Sequence, residues 1–140
     1  MQSNPLITVL VAVRTPSLRT LANALETDFN LILCDTRACA QQAVLDGSVD
    51  LILCGVNFDE SQMFQFLEFT KSNSATKKVP FVCIRVIEEL VCKSNIPSLQ
   101  MAAQVNEALF FDYFNRVQEF DAQHASIELR GFLHQLLDRH

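Results

Sequence analysis

Ile7-Thr-Val-Leu-Val-Ala-Val13, followed without a break by Arg14-Thr15-Pro16-Ser17-Leu18, decides the fold. The first half is an apolar, strand-like run. In the second half Thr15 offers an N-cap hydroxyl and Pro16 the first helical position, after which Leu18, Leu21, Ala22 and Leu25 fall on one helical face. Four more apolar runs repeat the opening, at residues 31–34, 51–54, 81–84 and 108–111, with helix-patterned segments between and after them. A strand-helix alternation of this kind predicts an α/β protein built on a doubly wound, five-stranded parallel sheet with helices on both faces. Function is then sought at the carboxyl ends of the strands, which here carry Val13, Arg14, Gly55 and Arg85.

The remaining helices follow from local punctuation. The second starts near Asp35-Thr36, runs through Cys39, Ala40, Ala43 and Val44, and stops at Gly47, which can turn left-handed after a helix. A third over residues 59–71 puts Met63, Phe66, Leu67 and Thr70 on one side and takes Asp59 or Ser61 as its cap. A polar stretch, residues 72–79, returns to the fourth strand. Pro97 interrupts a fourth helical pattern over residues 88–105, which is either short or broken before Ser98. The last helix, over residues 121–137, has Ala122, Ala125, Leu129, Phe132, Leu133, Leu136 and Leu137 on a broad apolar face.

Composition narrows the classes. A length of 140 residues suits one domain, with its core over about residues 6–137. No apolar run approaches the roughly 20 residues of a membrane span, and no charged region precedes an apolar stretch at the amino terminus, so a cytoplasmic protein is expected. A net charge of −5 disfavours nucleic acid and anionic membranes as partners, and the one basic pair, Lys77-Lys78, reads as a solvated loop. The five cysteines are Cys34, Cys39, Cys54, Cys83 and Cys92, with no Cys-x-x-Cys pair. Inert packing in a reducing compartment is the plain expectation; a redox-sensing thiol at Cys34 or Cys54 is the alternative. His124, His134 and His140 lack metal-ligand spacing, so neither a metal nor another cofactor is expected. A Gly-rich phosphate loop, a Ser/His/Asp set and suitably placed paired carboxylates are all missing, which argues against an enzyme and leaves no catalytic residue to name.

Four segments together carry a resemblance: Val11-Ala-Val-Arg-Thr-Pro16-Ser-Leu; Ala43-Val-Leu-Asp-Gly47-Ser-Val-Asp-Leu-Ile-Leu-Cys-Gly55; Val79-Pro80-Phe-Val-Cys-Ile-Arg85; and Ala102-Ala-Gln-Val-Asn106-Glu-Ala. In this punctuation the chain resembles the receiver domain of bacterial response regulators, the CheY-like superfamily, over residues 6–137. The resemblance implies the flavodoxin-like (βα)5 order 2-1-3-4-5. It also implies a phosphorylation pocket, and at each of its positions this chain departs. The family's acidic pair is replaced by Val13 and Arg14, its phosphoryl-accepting aspartate by Gly55, its Thr or Ser by Arg85 and its Lys by Tyr113. Asp112 or Phe111 takes the place of Tyr113 if the fifth strand slides. Asn106 stands where the family often has a helix-ending glycine, and it tolerates the left-handed conformation. Receiver phosphorylation needs a carboxylate nucleophile and a Mg²⁺ ion with oxygen ligands. The substitutions remove both and turn an anionic pocket cationic, so the chain resembles a degenerate pseudo-receiver.

Arg14 and Arg85 admit two readings. Together near a helix N-terminus they suit an anion; alternatively each pairs with Asp35, Asp59, Glu60 or Glu88 and fills the vacated pocket. Asp59 is the nearby carboxylate, and its plain role is a helix N-cap. Phe110 and Phe111 are expected in the core, facing two helix layers. Tyr113, Phe114 and Phe120 fall in the loop that follows, as core or as an interface. The leading expectation is a phosphorylation-independent signalling module acting through protein contacts. Its partner would be another protein or a second copy, met on the face of the fourth helix, fifth strand and last helix that the resemblance implies. Anion sensing at Arg14 and Arg85 is the alternative.

Overall fold

In the computed structural model, which describes residues 7–86 and 96–139, five strands form one parallel sheet in the order β2-β1-β3-β4-β5. They are β1 (Thr8–Ala12), β2 (Asn30–Cys34), β3 (Leu51–Gly55), β4 (Phe81–Arg85) and β5 (Leu109–Asp112), each within two residues of its apolar run. The two-residue period of a strand divides the core in two. Leu10, Ala12, Ile52, Cys54, Phe81 and Cys83 point to one layer; Val9, Val11, Leu51, Leu53, Val82 and Ile84 point to the other. As expected, Phe110 joins the first layer and Phe111 the second.

The second layer is covered by α1 (Thr15–Leu25) and α7 (Ala122–Asp138), through Leu21, Leu25, Ala125, Leu129 and Leu133. The first is covered by α2 (Arg37–Leu45), α4 (Met63–Ser72) and α5 (Ile96–Val105), through Ala40, Val44, Phe66, Leu67 and Ala103. Met63, Phe66, Leu67 and Thr70 are the buried residues of α4, as their spacing predicts. Thr36 caps α2 by accepting the Cys39 N–H at 3.2 Å, and Gly47 takes a φ of 79° just past that helix. Asp121 caps α7 by accepting the His124 N–H at 2.7 Å.

Five local expectations are corrected. Arg14, not Thr15, occupies the N-cap of α1, which has no side-chain cap; the Thr15 hydroxyl instead donates to Asp35 at 2.8 Å. The helix expected from residue 59 starts at Met63, because the short turn α3 (Phe58–Ser61) before it holds Asp59 at φ 45° and Glu60 at φ 57°. Asp59 therefore does not cap its own helix; its carboxylate accepts the Arg37 N–H at 2.7 Å and serves the first turn of α2. The left-handed residue after α5 is Glu107 (φ 60°), while Asn106 turns its side-chain amide back to the Ala102 carbonyl at 2.8 Å. Finally, the expected loop after β5 is a helix, α6 (Tyr113–Glu119), because Asp112 accepts the Asn115 N–H at 3.1 Å and caps it. Of the expected fourth helix, residues 88–95 lie outside the described residues.

Candidate functional site

The carboxyl edge of the sheet is assembled from the ends of β1, β3, β4 and β5. The Val13 N–H donates to the Cys34 carbonyl at 3.1 Å, which carries the β1/β2 pairing one step past the strand and leaves Val13 only 1% exposed. Gly55 ends β3, and a Cβ placed on it would lie 3.3 Å from Val13 Cγ1. Val13 and Gly55 therefore close on each other as an apolar contact, with no room for a larger side chain at Gly55 unless Val13 moves.

Arg85 ends β4 opposite Asp112 of β5. The residue is 5% exposed, and its guanidinium meets Asp112 bidentately, Nε to Oδ1 at 2.9 Å and Nη2 to Oδ2 at 3.0 Å. On its other side the Phe114 ring lies 4.8 Å away, a cation-π distance. A guanidinium removed from water needs such a partner, since burying an unpaired charge costs several kcal/mol. Arg85 pairs with Asp112; of the acidic residues nominated from sequence, Asp35 takes the Thr15 hydroxyl, Asp59 takes the Arg37 N–H, and Glu88 lies outside the described residues. The pocket is thus neutralised at Arg85 rather than cationic. Arg14 is exposed at the start of α1, so the two arginines differ in burial. A divalent cation does not fit the residues present: Val13 and Gly55 supply no carboxylate, and Asp35 and Asp59 are already engaged.

The strand end opposite Arg85 is Asp112, and Tyr113 follows it as the first residue of α6. Nor is Tyr113 an exposed aromatic: it is 2% exposed, packs in the α1/α7 layer and shares a hydrogen bond with Ser126 Oγ at 3.0 Å. Phe114 is half-buried beside Arg85. Phe120 alone of the three is open, 53% exposed, stacked on His124 at 4.1 Å with the Arg116 guanidinium 4.7 Å from its ring. Arg116 also meets Glu128 bidentately at 2.7 and 3.0 Å, and His124 meets the same carboxylate at 2.7 Å. The Arg116 hydrogen bond, helped by His124, holds the Glu128 carboxyl below its usual range.

Sequence reasoning missed one pair altogether. The sulfurs of Cys34 and Cys39 are joined, with Cα atoms 5.6 Å apart. Inert packing is thereby overturned for Cys34, and cysteine usage no longer argues for a reducing compartment. It does describe Cys54 and Cys83, free and buried side by side on β3 and β4. Burial pushes the Cys83 thiol up to about 12 and Cys54 well above its ordinary value, the opposite direction from that of a reactive thiolate. Cys92 and His140 lie outside the described residues. His134 sits on Asp28 at 2.9 Å, and among the described residues no group of three His, Cys, Asp or Glu is placed to hold a metal. A groove of about 520 Å³ opens at the opposite, amino edge of the sheet, between Val49, Asp50, Lys77, Lys78 and Pro80.

No family model matches the chain, and no curated protein does. Solved structures do. The chemotaxis response regulator CheY4 of Vibrio cholerae is 13% identical over 91% of this chain and 98% of its own, with a TM-score of 0.66. The Mn²⁺-bound form of response regulator Rcp1 is 18% identical over 89% of this chain and 92% of its own, with a TM-score of 0.63. A response regulator protein from Burkholderia multivorans is 11% identical over 78% and 82%, with a TM-score of 0.52. At these identities the likeness is one of fold: the chain has the CheY-like, flavodoxin-type receiver fold.

Proposed function

We propose that this chain is a single-domain, receiver-like signalling module that works without phosphorylation and passes its signal by protein contact. The observation that carries this is the contact of Val13 with Gly55 beside the Arg85–Asp112 pair. Phosphoryl transfer to a receiver needs a carboxylate nucleophile and a metal held by oxygen ligands; Val13 and Gly55 supply neither, and the rim carboxylates Asp35, Asp59 and Asp112 are engaged with Thr15, Arg37 and Arg85. One structural neighbour is described as Mn²⁺-bound; the corresponding strand ends here end in apolar and cationic side chains. We assign the chain no enzymatic activity and a place in the cytoplasm.

The contact surface we favour is the α5/β5 side. Met101, Val105 and Leu109 are 67%, 77% and 40% exposed there, and β5 is an edge strand. Exposed apolar side chains beside an unpaired strand edge are a ready docking surface for another protein or a second copy. Net charge of −5 argues against nucleic acid, and among the described residues no helix is long and apolar enough to cross a membrane. An anion sensor is the weaker reading, because Asp112 already answers Arg85.

The test is intact-mass analysis after incubation with acetyl phosphate and Mg²⁺, on the unaltered chain and on Gly55→Asp. Neither is expected to gain a phosphoryl group, since a carboxylate at 55 meets Val13 and has no metal ligands around it. A stable phosphoaspartate, in the 57–59 loop for instance, would overturn the proposal.

A further inference from the structure

The β2–α2 connection is fastened to both of its neighbours. Asp35 accepts the Thr15 hydroxyl from the start of α1 at 2.8 Å, and the Arg37 N–H donates to Asp59 of α3 at 2.7 Å. Cys34 and Cys39 bracket this short connection. Cys34 is the last residue of β2 and 2% exposed; Cys39 lies in the first turn of α2 and is exposed. Their Cα separation of 5.6 Å falls within the range that a disulfide bridges without backbone movement. One buried partner and one accessible partner, on two elements that meet at the rim, is an arrangement that Cys54 and Cys83 lack, both being sealed between the helix layers.

We propose that Cys34 and Cys39 form a reversible thiol–disulfide modification site, closed by a small-molecule disulfide such as oxidised glutathione and opened by the corresponding thiol. This is independent of the partner reading above. Cys39 is the attacking group because it is exposed in the first turn of α2, whereas Cys34 is buried at the end of β2. The Cys39 thiolate attacks one sulfur of the oxidant, whose S–S bond breaks. One small thiolate leaves and takes up a proton, and a mixed disulfide remains on Cys39. Cys34 then gives up its proton and attacks Cys39 Sγ, forming the internal bond and expelling the second small thiol. Two protons and two electrons pass from the protein dithiol to the small disulfide, which becomes two thiols.

The consequence is mechanical. With the bond closed, the end of β2 and the first turn of α2 are covalently joined. With it open, the connection rests on the Thr15–Asp35, Thr36–Cys39 and Arg37–Asp59 hydrogen bonds. The site therefore sets how firmly the rim segment between the start of α1 and α3 is held.

The experiment equilibrates the untagged chain in reduced and oxidised glutathione mixtures. Each mixture is quenched with acid, alkylated under denaturing conditions and analysed by intact mass and peptide mapping, with amide hydrogen exchange on both end states. An oxidised form protected from alkylation at Cys34 and Cys39 only is expected, with at least tenfold slower exchange over residues 36–39 than in the reduced form. Cys39→Ser is expected to form no internal bond and to exchange like the reduced protein in every mixture. Persistent glutathione on Cys39, pairing of either residue with Cys92, or equal exchange in the two states would each overturn the proposal.

Discussion

Arg85 is tolerated in the interior only through its neighbours. Its side chain is 6% exposed against 18% for Asp112, and Asp112 does double duty by also capping α6. The two halves of the pair are therefore unequal. Asp112→Ala strands a buried guanidinium and uncaps a helix, and is expected to lower unfolding free energy by about 3–5 kcal/mol. Arg85→Met leaves a more exposed carboxylate that still caps, and should lose on the order of 1 kcal/mol. Urea unfolding of both variants decides the matter; equal losses would mean that Arg85 does not depend on its partner. What the sequence disclosed at this scale was the residue types at the strand ends, Val13, Arg14, Gly55 and Arg85. It did not disclose Asp112 as the partner, because that pairing follows from the β4/β5 register, which sets residue 85 opposite residue 112.

Elements end where local chemistry lets them, and α5 shows a mismatch. The Ala108 N–H reaches back to the Ala103 carbonyl at 2.8 Å and the Glu107 N–H to the Gln104 carbonyl at 3.0 Å, the two bonds of a Schellman motif with Glu107 in the left-handed position. A residue with a Cβ is strained there, and glycine is not. Glu107→Gly is thus expected to stabilise the protein by about 1 kcal/mol, read as a higher urea midpoint with an unchanged slope. A lower midpoint would mean that the Glu107 side chain contributes more than its backbone strain removes. Sequence pattern identified the element but missed which of Asn106 and Glu107 turns, because two helix-ending geometries one residue apart leave the same apolar spacing. It missed α6 for a related reason: seven residues are too few to show periodicity, and the cap at Asp112 was the one available signal.

Across the whole molecule, α7 closes the fold by docking on α1. His134 meets Asp28 at 2.9 Å over 106 positions of chain and stacks on Phe29 at 4.8 Å. Arg130 Nη1 donates to the Ala24 carbonyl at 2.8 Å. The His134 hydrogen bond is the chief reason that the Asp28 carboxyl sits below its usual range, with Thr27 and Arg130 adding to it. A carboxylate with a lowered folded pKa gives stability that is fully present above its unfolded pKa and is lost as pH falls through the folded value. The docking should therefore weaken as pH drops below about 4, and His134→Ala should flatten that acid slope. Urea midpoints between about pH 3 and 6 test this, and parallel curves for the two proteins would refute it. The sequence by itself determined the strands, the alternating core and the helix faces, because a two-residue or 3.6-residue period is a property of the local chain. It also placed Val13, Arg14, Gly55 and Arg85 at the ends of the strands. Only the tertiary structure decided that Gly55 closes on Val13, that Asp112 neutralises Arg85, that Tyr113 is core and that Cys34 joins Cys39. Each of these depends on where separate elements meet, and that is set by register and packing, which no local pattern encodes.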